Sequence, residues 1–307
     1  MASPLLRLGT RGSRLALTQT GLVRDALARA VPALSAEGAV EIVAIKTTGD
    51  VIQDRPLSEA GGKGLFVKEI EEALLAKRID AAVHSMKDMP TAQPPGLAIS
   101  AFLPREDTRD VLIAGDITRI EDLPKGAIVG TSALRRRALL LHKRPDLEIV
   151  TLRGNVETRL AKREAGVVAA TLLALAGLKR LGMAHVGTPI PNEDMLPAVG
   201  QGAVCIEARE DDVQTRGWLA AIDHAATATC VRAEHAMLAV LDGSCRTPIA
   251  GHAVLTGDDL HLRGLIARPD GSEVVATERR GKAADAAAMG ADAGQELKRR
   301  GGPNFFD

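Results

Sequence analysis

The chain has 307 residues, 46% of them hydrophobic and 25% charged, which sets aside a disordered or fibrous protein and leaves room for two or three cored domains. Lys plus Arg and Asp plus Glu both number 39, and aromatics make up 2% with no Tyr and a single Trp, so neither a global field nor a stacking platform points to nucleic acid or an anionic membrane. Three cysteines without paired spacing make no disulfide framework, no run of 18 apolar residues occurs, and Met1 to Gly9 lacks the pattern of a signal peptide; a cytoplasmic protein is expected.

In chain order, Leu5 to Leu8 reads as a strand and Ser13 to Ala30 as a helix with Leu15, Leu22, Val23, Ala26 and Leu27 on one face. Val40 to Ile45 is a buried strand. Phe66 to Lys77 is a helix that turns Phe66, Ile70, Ala73 and Leu74 inward, and Ile79 to Val83 is a strand again. This alternation predicts a parallel sheet covered by helices. After Pro104 the same grammar restarts, with strands at Val111 to Ala114, Ala127 to Val129, Leu147 to Leu152 and Val167 to Leu172. Helices at Ser132 to His142, Val156 to Glu164 and Ala174 to Leu181 accompany them. Thr188 to Gly202, with Pro189, Pro191, Pro197 and Gly200, is a turn-rich crossing between domains. A helix from Thr227 to Leu241 follows. Strands at Ile249 to Leu255, Leu260 to Ala267 and Glu273 to Arg279 and a helix from Lys282 to Arg300 complete a small α+β domain.

Several loops at strand ends carry reactive or charged side chains. Cys245, in Asp242-Gly243-Ser244-Cys245-Arg246-Thr247-Pro248, lies in a Gly- and Pro-bounded loop whose exposure and Arg246 favour thiolate, whereas Cys205 and Cys230 fall in an apolar run and a helix. Read alone, Cys245 is either a reactive thiol or an unremarked loop residue. His84-Ser85-Met86-Lys87-Asp88-Met89-Pro90 follows a buried strand, where open α/β sheets gather ligands, so Asp88 is placed to steady a cationic intermediate or to be a solvated turn residue. Gly130-Thr131-Ser132-Ala133-Leu134-Arg135-Arg136-Arg137 sets arginines at a helix start, which opposes the macrodipole unless they face an anion. That anion is either a ligand carboxylate or a surface acid of the chain. Arg153-Gly154-Asn155-Val156-Glu157-Thr158-Arg159 and Arg11 with Ser13 repeat the device, and together they suggest a multivalent anion site between two lobes. Gly61-Gly62-Lys63-Gly64 lacks P-loop spacing and reads as a lid, and the seven histidines show no zinc spacing, so no metal is expected.

These segments, together with Thr48-Gly49-Asp50, Gly64-Leu65-Phe66, Leu152-Arg153-Gly154-Asn155 and Leu196-Pro197-Ala198-Val199-Gly200-Gln201-Gly202-Ala203, resemble the porphobilinogen deaminase (hydroxymethylbilane synthase) family over nearly the whole chain. The resemblance implies an α/β protein of three domains. Two are like the lobes of periplasmic binding proteins (1–104 with 200–221, and 105–199), and the third is an α+β C-terminal domain (222–307) bearing the cysteine. It implies a transferase of tetrapyrrole and haem biosynthesis that joins four porphobilinogen units head to tail into hydroxymethylbilane and releases ammonia each time. A dipyrromethane cofactor is expected on Cys245 through a thioether. Asp88 and Lys87 are the implied catalytic pair and also touch the cofactor, with Thr131, Ser132, Arg135, Arg136, Arg153 and Gln201. Arg11, Ser13, Gln19, Phe66, Arg153, Arg159 and Arg180 are the implied substrate contacts, and Phe66 with the Gly61 to Gly64 loop is the implied lid. A six-pyrrole chain carries about twelve carboxylates, which explains several arginines. The resemblance further implies a cytoplasmic monomer with no nucleic-acid or membrane partner. The chain departs from the family pattern at Glu59, at His235 after Glu234, and at Ser244-Cys245-Arg246.

Two other classes share some of these features. A solute-binding module has the same two lobes and forms no covalent adduct. A cysteine hydrolase needs a histidine beside Cys245, for which His224, His235 and His252 are the candidates in sequence.

Overall fold

The computed structural model describes residues 4–51, 64–243 and 247–306, the side chains of Asp50 and Val51 excepted. Its first elements are β1 (Leu6–Arg11), α1 (Arg14–Ala30), β2 (Val40–Ile45), the single turn α2 (Thr48–Val51), α3 (Lys68–Leu75), β3 (Ala81–Ser85) and β4 (Leu97–Phe102). Then come β5 (Asp110–Ile113), β6 (Ile128–Gly130), α4 (Leu134–Lys143), β7 (Glu148–Val150), α5 (Val156–Glu164), β8 (Ala170–Ala174), α6 (Leu175–Arg180) and the two-residue β9 (Thr188–Pro189). The last are β10 (Val204–Arg209), α7 (Val213–Ala220), α8 (Ala225–Val240), β11 (Ile249–Thr256), β12 (Asp259–Ala267), β13 (Val274–Lys282) and α9 (Ala286–Gly301).

The described residues divide into two compact units, one of residues 4–51, 64–106 and 203–228, the other of the rest of 107–306. In the first, the sheet order is β2-β1-β3-β10-β4. β1 runs parallel to β2 and β3, and β10 runs antiparallel to β3 and β4. The expected parallel sheet is therefore only part of the sheet that forms, because the chain returns from the crossing to pair β10 in the opposite sense. Leu6, Leu8, Val83, Val204 and Ile206 pack one face of the sheet against Val23 and Leu27 of α1. Ile70, Ala73 and Leu74 of α3 cover the other with Ile79 and Ala82. Buried on both faces, β10 is buried at every position.

The second unit repeats the plan with order β7-β6-β8-β5-β9, where β6 is parallel to β7 and β8 and β5 is antiparallel to β8 and β9. Leu112, Val129, Leu140, Leu172 and Met195 form its core, and Ala250 and Leu265 of the antiparallel sheet β11-β12-β13 belong to the same cluster. A second cluster of Met237, Leu262, Ile266, Ala293 and Leu297 holds α8 and α9 against that three-stranded sheet. Several expected helix starts move, those at Thr227 and Lys282 to Ala225 and Ala286. The helix expected from Phe66 begins at Lys68, with Val67 rather than Phe66 buried, and the helix expected from Ser132 begins at Leu134.

Candidate active site

In the first unit, β3 ends at Ser85 and a single 3-10 turn, Met86–Asp88, follows. Met86 and Met89, three apart, are buried, and the Met86 amide donates to Ala203 O at 3.0 Å. The methionines pin the turn from below, and Lys87 and Asp88 are left half-exposed. At the end of β1, Ser13 caps α1 by accepting from Ala16 N at 3.3 Å. The Arg11 guanidinium lies over the Phe66 ring, 4.2 Å from its centroid. A Cβ on Gly49 would sit 2.3 Å from that ring, so this position admits only glycine beside Phe66. Gln19 is buried on α1 and exchanges hydrogen bonds with Ser85 at 3.1 and 3.2 Å, which fixes the strand end next to Asp88.

Beneath the same strand end lies a buried titratable cluster that local sequence patterns do not reveal. His84 of β3 and Glu207 of β10 stand 3.4 Å apart without the alignment of a hydrogen bond, and Glu71 of α3 is buried near them. Burial, then the charge of Glu207, pushes the Glu71 carboxyl up, against the opposing pull of His84. The Cys205 thiol is pushed well up by burial first, then by Glu207, with Asp88 adding to the rise. These causes disfavour the thiolate at this buried position.

In the second unit the strand ends after β6 and β7 carry the basic motifs. Thr131 N donates to Val150 O at 2.9 Å, Thr131 Oγ1 accepts from Ala133 N at 3.2 Å, and Ser132 Oγ donates to Leu152 O at 2.8 Å. Asn155 caps α5 through Thr158 N at 2.8 Å, Arg159 Nε donates to Gly154 O at 2.8 Å, and Lys162 Nζ donates to Arg153 O at 3.1 Å. Arg153, Arg159 and Arg180 are half-exposed, and Arg180 Nη2 donates to Gly202 O at 2.8 Å.

Arg135 and Arg136 have a different setting from the other arginines. Both are 5% exposed, and each places a guanidinium nitrogen 2.7 Å from one oxygen of Asp110, which is wholly buried at the start of β5. Gln201 Nε2 donates to the same carboxylate at 2.9 Å and to Thr108 O at 2.7 Å. The remaining amines donate to Leu196 O and Leu172 O at 2.8 Å. Burial alone would raise the Asp110 carboxyl; the two guanidinium charges and their hydrogen bonds outweigh it and keep the group ionised. The anion that a basic helix start calls for is thus, in the first instance, the chain's own Asp110.

Cys245, with Ser244 and Arg246, and the Gly61 to Lys63 part of the expected lid lie outside the described residues. On the N-terminal side the chain is bonded up to Gly243. Gly243 N donates to Leu238 O at 3.0 Å, Asp242 has φ +50°, and a Cβ on Gly243 would meet Leu238 at 2.3 Å. Glu234 of α8, also missed in the sequence, is buried and accepts from Gly200 N and Ala253 N at 2.7 Å, tying α8 to β11 and to the crossing. Of the histidines expected near the thiol, His252 lies 3.2 Å from Thr108 Oγ1 and His224 lies 2.8 Å from Thr227 Oγ1.

Residues 6–217 match the family description "Porphobilinogen deaminase, dipyromethane cofactor binding domain", and residues 228–299 match "Porphobilinogen deaminase, C-terminal domain". The chain belongs to the porphobilinogen deaminase family. Among relatives, the porphobilinogen deaminase of Paracoccus denitrificans is 58% identical over 98% of this chain and 96% of its own. The chloroplastic porphobilinogen deaminase of Oryza sativa is 52% identical over 99% of this chain and 86% of its own. A solved periplasmic binding protein of Salmonella typhimurium superposes with a TM-score of 0.40 at 14% identity, over 72% of this chain and 92% of that one, a likeness too weak to speak to function. As members of the porphobilinogen deaminase family, the curated relatives are named for an enzyme that is a transferase. Among the described residues no helix is long and apolar enough to cross a membrane.

Proposed function

We propose that the chain joins four porphobilinogen units head to tail into hydroxymethylbilane, releasing ammonia at each addition, with Asp88 as the catalytic carboxylate and Cys245 as the thioether anchor of a dipyrromethane primer. The observation that carries this reading is the setting of Asp88, half-exposed at the end of a buried strand on a turn whose Met86 and Met89 are buried. The residues present also fit a carboxylate-rich cofactor. Among the described residues Arg136 Nε is a buried donor with no partner, and the two guanidiniums share the single carboxylate of Asp110.

When bound, the primer supplies the free pyrrole carbon from which the chain grows. An Asp88 oxygen accepts the pyrrole N–H of the incoming unit, orienting its aminomethyl group. As the aminomethyl C–N bond breaks and ammonia leaves, the same carboxylate lies against the positive charge that develops on the ring. Lys87, beside it, offers an ammonium to a ring carboxylate. In the first unit Arg11, Ser13, Gln19 and Phe66 orient substrate. In the second, Thr131, Ser132, Arg135, Arg136, Arg153, Arg159, Arg180 and Gln201 receive the acetate and propionate groups. The low cysteine count supports the cytosol as the place of reaction.

Intact mass of the purified protein tests the reading. An increment of two linked pyrroles, present in the natural chain, absent from Cys245→Ala and retained by a turnover-deficient Asp88→Ala, is the expected result. Active protein of unmodified mass would falsify the tether, and full turnover in Asp88→Ala would remove that residue from its role.

A further inference from the structure

Residues that the family resemblance treats as separate contacts prove to be one assembly. Arg135 and Arg136 come from α4, Gln201 from the crossing and Asp110 from β5, and all three partners bond to a single carboxylate within 2.9 Å. Its oxygens are fully shared. Oδ2 takes Arg135 at 2.7 Å, while Oδ1 takes both Arg136 at 2.7 Å and Gln201 at 2.9 Å. Each guanidinium is braced a second time by a main-chain oxygen, Leu196 O or Leu172 O, at 2.8 Å. A guanidinium is planar, so two fixed amines leave it little freedom.

Charge gives the assembly its second property. One carboxylate faces two guanidiniums, so the group keeps a surplus positive charge in a setting where Asp110 is wholly buried and both arginines are 5% exposed. Among the described residues Arg136 Nε has no partner. A buried charge of this kind is tolerated when an anion completes it.

We infer that Asp110 is a positioning residue for cofactor loading: one internal carboxylate sets the pose of Arg135, Arg136 and Gln201 and leaves them a net positive charge to meet the carboxylates of the incoming primer. This deepens the function proposed above and rests on it. Asp110 touches neither substrate nor cofactor; it acts through the side chains it holds.

The test uses full-length Asp110→Asn and Asp110→Glu, purified as the natural chain is. Circular dichroism and a melting curve establish folding, and intact mass reads the fraction of chains carrying the two-pyrrole increment. Asn keeps the shape but turns an amide against one guanidinium, so the loaded fraction among folded chains falls about tenfold or more, the effect of losing a charge-assisted bond. Glu keeps the charge and displaces it by one methylene, so the chain folds and loads about threefold less. A residue that only stabilises the fold would lower the melting temperature and leave the loaded fraction of folded chains unchanged. Natural-level loading in folded Asp110→Asn overturns the inference, and if that variant does not fold, natural-level loading in Asp110→Glu overturns it instead. Failure of the parent reading looks different, since the natural chain would then carry no increment at all.

Discussion

Each unit buries a polar centre behind the strand ends that carry the expected site residues, and the two centres are built on opposite charge. In the first unit two carboxyl groups, Glu71 and Glu207, face one imidazole, His84. Among the described residues both Glu207 oxygens, Glu71 Oε1 and His84 Nε2 have no hydrogen-bond partner. In the second, one carboxylate faces two guanidiniums with every contact to Asp110 at 2.9 Å or less. The first centre can answer a change of pH by moving a proton. In the second, the two guanidiniums outweigh burial and keep the Asp110 carboxylate ionised.

Removing the keystone of the second centre is the most severe way to probe that contrast. Asp110→Ala leaves two buried guanidiniums facing each other with no internal anion, and the loss is expected at about 3–5 kcal/mol in urea unfolding. Under the same conditions His84→Gln, which removes the imidazole from a centre already short of hydrogen bonds, costs less, about 1–2 kcal/mol. Equal losses would erase the distinction between a rigid and an adjustable centre.

Much of the frame behind these centres was legible in sequence. Val40–Ile45 and Val156–Glu164 form where expected, the second bounded by the Asn155 cap, but Val40–Ile45 is an edge strand with no buried residue rather than the buried strand expected. β10 escaped notice because Glu207 and Arg209 interrupt its apolar run, and only tertiary partners explain their burial: His84 beside the first, Leu74 O and Ile79 O for the second. β4, Leu97–Phe102, mixes Ala98, Ser100 and Ala101 with Ile99 and Phe102, which weakens its strand signal. In the site, the Lys87–Asp88 turn at a strand end was readable from position alone. The anion opposite Arg135 and Arg136 was not, because Asp110 lies on β5, 25 and 26 residues earlier. A lone Asp leading into Val111-Leu112-Ile113 was the one available hint.

The adjustable centre has its own test, with a smaller effect. Burial and the Glu207 charge hold the Glu71 carboxyl above its ordinary value, so the folded chain binds that proton more tightly than the unfolded chain does. Its contribution is therefore fully present below the ordinary carboxyl range and is lost as pH rises through the raised value. Glutamine cannot ionise and escapes that loss. Glu71→Gln is expected to match the natural chain near about pH 4 and to exceed it by the order of 1 kcal/mol near about pH 8. A variant less stable than the natural chain at the higher pH would show that Glu71 is needed as a carboxylate, and the centre would then be as fixed as the one at Asp110.

The smallest effect belongs to the edge of the first unit where the Arg11 guanidinium lies over the face of Phe66 at 4.2 Å. Half-exposed cation–π contacts contribute about 0.5–1 kcal/mol. Phe66→Leu keeps apolar bulk against Gly49 and removes the ring face, so unfolding should change by about 0.5 kcal/mol and the KM for porphobilinogen should rise about twofold to fivefold, with kcat nearly constant. The split follows from geometry: the ring orients a guanidinium proposed to bind a carboxylate, and it does not touch the Asp88 turn in any described contact. A loss confined to kcat would mean that Phe66 serves the reacting carbon rather than Arg11. In Arg11→Ala the same Phe66→Leu change should then have almost no further effect on KM, since an orienting surface has nothing to orient once the guanidinium is gone.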